Sequence, residues 1–134
     1  MCIRDRPWSY HYSLHEFLEL AQEVGSEPWY VIPPTFTPDE LQNLMAYLGA
    51  PAGSHPYADR RAALGQETPW TDVFSQIHLE YGNELWGLNA IGDPFIGSTM
   101  RGGTRSGQVT SDRIGIMQGS EFYNGDKFLS LIHI

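Results

Sequence analysis

The sequence predicts an α/β fold, a parallel sheet covered by helices. Apolar residues recur at helical spacing over 13–24 and again from Thr37 to Gly49. Short runs rich in aromatic and β-branched residues stand at 28–32 and 74–81, and a further strand start is read at Asp126-Lys127-Phe128. Helix and strand signals therefore alternate, and alternation of this kind means parallel strands joined by helical crossovers. It fits an open doubly wound sheet and a closed barrel alike. No G-x-G-x-x-G or P-loop follows either of the first two strands, which weighs against a nucleotide-binding version.

Each element has a local reason. Ser13 and Glu16 form a capping box ahead of Leu14, Phe17, Leu18, Ala21 and Val24, which share one helix face. Gly25 suits the left-handed residue that ends such a helix. Pro28-Trp29-Tyr30-Val31-Ile32 reads as a buried strand stopped by Pro33 and Pro34. Thr37 is the N-cap of the second helix, Pro38 its first residue, and Glu40 closes a second capping box. Leu41, Leu44, Met45 and Leu48 form its apolar stripe, and Gly49 ends it. Residues 50–70 read as a loop with a short helix near Asp59–Leu64. The next strand runs through Ile77, Leu79 and Tyr81. Residues 87–110, rich in Gly, Ser and Thr, read as a long loop, functional or disordered, and Ser111 as the cap of a weak helix reaching about Tyr123.

The two ends of the chain stand apart. CTGTCTCTTATACACATC translates as Leu-Ser-Leu-Ile-His-Ile, which is residues 129–134. Its reverse complement, extended and read from ATG, gives Met-Cys-Ile-Arg-Asp and then Arg or Ser, matching residues 1–6. These strings resemble the two orientations of a transposase adapter used in sequencing libraries. Residues 1–6 and 129–134 are accordingly expected to be adapter-derived, with 7–128 an interior fragment.

The whole chain carries 8 basic and 16 acidic residues, a net charge of −8. Without Arg4, Asp5 and Arg6 the remainder has 6 basic and 15 acidic residues, net −9. Such acidity does not suit nucleic acid, whose phosphates need basic patches. It is compatible with a neutral substrate such as a sugar. Cys2 is the single cysteine and lies in the adapter stretch, so residues 7–128 hold no disulfide or thiolate metal site. No apolar run reaches the length of a membrane helix, and no cofactor is expected.

The chemistry is concentrated in His78-Leu79-Glu80-Tyr81-Gly82-Asn83-Glu84-Leu85-Trp86. Glu84 falls just past a predicted parallel strand, where α/β enzymes place catalytic groups, and alternation puts it on the face of Gly82 and Glu80. Glycoside cleavage requires two carboxylates, one to protonate the leaving oxygen and, in retaining enzymes, one to attack the sugar carbon. Glu84 is the candidate general acid/base, with Leu85 and Trp86 favouring its neutral form. Asn83, Trp86 and Tyr81 are the candidate substrate-binding residues. Asn83 offers an amide donor to a sugar hydroxyl, and Trp86 offers a stacking wall.

Glu16-Phe17-Leu18-Glu19-Leu20-Ala21 through Gly25-Ser26-Glu27-Pro28-Trp29 resembles the second helix and third strand of family 51 α-L-arabinofuranosidases, which carry a similar EFL…GAEP pattern. The Thr37-Pro38-Asp39-Glu40 helix and Gly82-Asn83-Glu84-Leu85-Trp86-Gly87 continue the match in order, so it spans roughly residues 13–87. Asn-Glu at the end of strand four is shared by the wider clan A of glycoside hydrolases. The resemblance implies a partial TIM (β/α)8 barrel, roughly helix 2 to the start of strand 5. It implies Glu84 as acid/base, Asn83 on the sugar 2-hydroxyl, and a nucleophile Glu beyond this fragment. Pro33-Pro34-Thr35 departs from the family, which usually has an Asn after the third strand.

Other residues read more plainly. Glu80 is expected to be a buried carboxylate with a neighbour such as an Arg, and His78 a satisfied interior histidine. Asp72 and Glu67 read as solvated charges, Arg101 and Arg105 as loop residues, and Trp70 as core or cleft in equal measure. No histidine spacing supports a metal. Three rivals stand beside the arabinofuranosidase-like reading: another clan A glycosidase of β-glucanase, mannanase or xylosidase type, a non-catalytic carbohydrate-binding barrel, and an unrelated open α/β domain in which Glu84 is structural. A fragment lacking the nucleophile is expected to be inactive and poorly stable alone.

Overall fold

The computed structural model describes residues 12–82 and 103–131. In chain order its elements are α1 (Leu14–Glu23), β1 (Trp29–Ile32), α2 (Pro38–Gly49), α3 (Pro56–Ala63), α4 (Trp70–Val73), β2 (Ile77–Tyr81), α5 (Gly103–Gln118) and β3 (Phe128–Leu131).

Both capping boxes form. The Ser13 and Thr37 side chains accept from the backbone of the third helical residue, while Glu16 and Glu40 reach back to the cap. At the end of α1, Gly25 takes φ +68. Its N–H donates to Gln22 O at 3.1 Å, and Ser26 N–H donates to Ala21 O at 2.9 Å. That pair of bonds is the six-to-one, five-to-two closure of a left-handed helix end.

Gly49 ends α2 as expected, and it has a second role. It is the last residue of α2, followed by an extended Ala50. A Cβ on it would stand 2.6 Å from the Phe122 carbonyl oxygen. It is glycine because another backbone approaches closely there.

The three strands are parallel, in the order β1-β2-β3. Trp29 pairs with His78 and Ile32 with Tyr81 on one side of β2; Ile77 pairs with Phe128 and Glu80 with Leu131 on the other. Paired residues of parallel strands share a face, so Ile32, Ile77, Leu79, Tyr81 and Phe128 point the same way. All five belong to one core with Leu18 of α1, Leu41, Leu44, Met45 and Leu48 of α2, Trp70 of α4 and Met117 of α5. The helices thus cover this face. The opposite face carries Trp29, Val31 and Leu129, which are exposed, with His78 half-buried and Glu80 buried. β1 is therefore buried on one side only, not through and through as its composition predicts.

Three further expectations are corrected. α3 starts at Pro56, earlier than Asp59, because His55 supplies the cap: its Nδ1 accepts from Tyr57 N–H at 3.2 Å. The short α4, read as loop, is held by the fully buried Trp70. α5 begins at Gly103, inside the stretch read as a long loop, so Ser111 is interior to a helix and not its cap. Its Gly, Ser and Thr residues are weak helix formers, and packing of the buried Ser106, Thr110 and Met117 compensates.

The partial (β/α)8 barrel is corrected as well. The described residues form an open three-stranded parallel sheet in which β1 and β3 each pair on one side only. Each helix-strand unit is encoded locally and looks the same in an open sheet and a barrel. Closure depends on strand number, tilt and shear, which no single unit specifies. What stands is a mixed α/β fold. β3 also runs past Phe128, with Leu129, Ser130 and Leu131 opposite His78, Leu79 and Glu80. An edge ladder is made by backbone groups, and Leu-Ser-Leu supplies the required alternation.

Candidate functional site

The carboxyl ends of β1 and β2 form the candidate site, as parallel sheets place ligands there. Two hydrogen bonds fasten these ends together. Gly82 takes φ +68, and its N–H donates to Ile32 O at 2.9 Å. The Tyr81 hydroxyl donates to the Pro34 carbonyl at 2.8 Å. The Pro33–Phe36 turn is closed by Phe36 N–H on Pro33 O at 3.1 Å. This turn brings the Pro34 carbonyl within reach of the Tyr81 hydroxyl.

Tyr81 itself is buried in the helix-covered core. Burial raises its pKa, with Arg113 acting in the opposite sense, so the phenol stays a donor. Asn83, Glu84 and Trp86 lie outside the described residues, as do Arg101 and the side chain of Arg105. Of the four predicted site residues, the structure therefore places Tyr81, at the strand end that sequence reasoning gave it.

Across the sheet, Glu80 is 5 % exposed, and its Oε2 accepts from the Trp29 indole N–H at 3.0 Å. The expectation of a buried carboxylate holds, with an indole as a donor. Trp29 and His78 rings lie side by side, centroids 6.3 Å apart. His78 Nε2 meets Glu27 Oε2 at 3.2 Å, and Ser75 Oγ donates to Glu27 Oε1. These bonds, Ser75 first, hold the Glu27 carboxyl below its ordinary pKa. Ser75 bonds the carboxylate and not the imidazole, so no serine nucleophile is activated here. Glu27 and Ser75 precede their strands, at the sheet's amino end, where such a clip ties β1 to β2.

Trp70 belongs to the core, fully buried and stacked on Phe74 with centroids 5.8 Å apart. Asp72 and Glu67 are exposed. Among the described residues no cluster of three or more His, Cys, Asp or Glu is placed to hold a metal, and no helix is long and apolar enough to cross a membrane.

Two buried polar groups escaped sequence reasoning. Arg61 is fully buried and donates to the carbonyls of Tyr47, Ala50, Gln66 and Glu67 at 2.8–3.0 Å. Sequence reasoning places Arg61 only in a short helix near Asp59–Leu64, and the one available signal of burial is the helical spacing from Ala58, itself buried. His15 is also buried, with Nδ1 at 2.7 Å from the Tyr47 hydroxyl. Burial pushes the Tyr47 pKa up to about 12, so that hydroxyl keeps its proton across the physiological range. No known protein-family model matches this chain, and no curated protein matches it.

Proposed function

We propose that this chain carries the acid/base half of a retaining glycoside hydrolase site, acting on α-L-arabinofuranosides of plant-type polysaccharide side chains. Glu84 is the proton donor and Asn83 the amide that holds the sugar 2-hydroxyl. The supporting observation is the end of β2. It is the central strand of the parallel sheet, it stops at Tyr81, and Gly82 turns the chain at its carboxyl end. Asn83 and Glu84 are the next two residues in the sequence.

In this reading Glu84 protonates the leaving oxygen as a second carboxylate, roughly 5–5.5 Å away, attacks the sugar carbon. Glu84 then deprotonates the water that releases the glycosyl-enzyme. Glu80 does not serve as the second carboxylate, because it is buried and takes the Trp29 indole N–H. The reading assigns the nucleophile to a parent reading frame around residues 7–128, and Trp86 to the wall of the sugar site. Tyr81 acts one step back, by holding the Pro34 carbonyl beside the strand end.

The test is an assay of that parent protein on aryl α-L-arabinofuranoside, with Glu84→Ala and added azide. Azide attacks a glycosyl-enzyme without needing a general base. Loss of natural-substrate turnover in Glu84→Ala, with activity regained in azide, supports the proposal. Activity confined to β-glucosides or β-xylosides overturns the arabinofuranoside assignment. Sugar binding without cleavage of any glycoside overturns the enzyme reading in favour of a binding module.

A further inference from the structure

A cavity of about 330 Å³ opens among the start of α1, α2 and α3, on the helix-covered side of β1. That volume lies near the lower end of small-molecule sites, which run from about 300 to 1,000 Å³. It fits one ring-sized unit and not a length of polymer.

The lining is of two kinds. Tyr30, Phe36 and Tyr57 supply flat apolar rings, while Glu40, Asn43 and Arg60 supply planar polar groups. His15 and Tyr47, buried and bonded to each other at 2.7 Å, also line it. The Glu40 carboxylate is held in place by Thr37, whose N–H donates to Oε2 at 2.7 Å. Asn43 is half-buried and Arg60 exposed, so both can reach a ligand from the rim.

Charge decides the class of ligand. Glu40 lines the cavity. Glu16 bonds Ser13, which also lines it. Glu19 lies 3.4 Å from His15 Nε2. Glu40 on the lining and Glu16 and Glu19 behind it supply three carboxylates, against Arg60 on the lining and Arg61 on the Tyr47 carbonyl; in a chain of net charge −8 an anion is disfavoured. Aromatic rings beside planar amide, carboxylate and guanidinium groups suit a neutral ring with an apolar C–H face and several hydroxyls.

We propose that this cavity binds a single neutral sugar unit, at a site separate from the end of β2. The proposal does not depend on catalysis by Glu84.

The test is an amide NMR titration of the full chain with methyl β-D-xylopyranoside and, in parallel, with sodium benzoate as an anionic probe of similar size. The expected result is saturable shifts at Asn43, Tyr57 and Arg60 with the glycoside, with a Kd on the order of 1–10 mM, and none with benzoate. Asn43→Ala and Arg60→Gln each weaken binding about fivefold or more. Both rim side chains are solvent-accessible, so each variant is expected to keep the wild-type amide dispersion, and either one suffices. Overturning results are no saturable shift with the glycoside, benzoate titrating these residues in its place, or a chain whose amides lack folded dispersion.

Discussion

The Arg61 guanidinium donates to the Tyr47 carbonyl at 2.8 Å inside the protein, fully shielded from water. The same side chain reaches Ala50 O at 2.8 Å, Glu67 O at 3.0 Å and Gln66 O at 3.0 Å. Tyr47 and Ala50 close α2, whose last carbonyls have no partner within the helix. Gln66 and Glu67 belong to the loop after α3. One cation at a helix C-terminus therefore satisfies two carbonyls at the end of α2 and locks the following loop to it.

Replacing Arg61 with Met removes four donors and leaves buried acceptors unpaired. The expected cost is about 3–5 kcal/mol, read as a lower urea midpoint with an unchanged slope. Arg61→Lys keeps the charge but loses the fork geometry, and is expected to recover less than half of that loss. A Met variant with the wild-type midpoint would remove Arg61 from any structural role.

Gly49→Ala tests a close backbone approach. Helix propensity alone favours Ala by about 1 kcal/mol. Against it, the new Cβ would meet the Phe122 carbonyl oxygen at 2.6 Å, a contact that forces the backbone apart. Overpacking of that kind costs about 1–3 kcal/mol. The steric term is expected to win, giving a net loss in thermal or urea unfolding; a net gain would show that the segment after α5 moves away freely.

The α1 capping box predicts an acid-limb pH dependence. Hydrogen bonds from Ser13, with the helix backbone assisting, lower the Glu16 pKa from 4.5 to about 2. Its contribution to stability is complete above about pH 4.5 and is lost as the pH falls toward 2. Glu40 in the second box and Glu27 in its clip are shifted in the same direction. Urea midpoints are expected to fall through this window in the wild type and to fall less in Glu16→Gln. Equal pH slopes for the two proteins would remove Glu16 as a contributor.

These boxes were legible in the sequence because their partners are three residues apart and the geometry is local. The same holds for Gly25 and for the alternation that marks β2. The start of α5 was not legible, since Gly103 to Gly107 carry low helix propensity and the helix is held by contacts to α2 and β2. The choice between an open sheet and a barrel was not legible either. Closure depends on strand number, tilt and shear, which residues such as Ile32 and Phe128 do not specify. Of the site, Tyr81 at the strand end followed from periodicity. Its bond to Pro34, and Arg61's bonds to four carbonyls, depend on chain crossings that no local pattern records.

The Trp29–Glu80 bond crosses from β1 to β2 by a diagonal step, since Glu80 pairs with Val31 in the ladder. A buried carboxylate held by an indole N–H fixes the register of the strand that leads to Gly82. Trp29→Phe keeps the aromatic ring and removes the donor. It is expected to cost about 1–3 kcal/mol, the range for removing one partner of a buried hydrogen bond. Glu80→Met alone removes the acceptor, and the double variant removes both ends of the bond. If the bond contributes as the geometry implies, the double variant is less destabilised than the two singles added, with a coupling of at least about 1 kcal/mol. Strict additivity in urea unfolding would mean that Trp29 and Glu80 act independently. The register of β2 would then rest on its backbone ladder and its core residues alone.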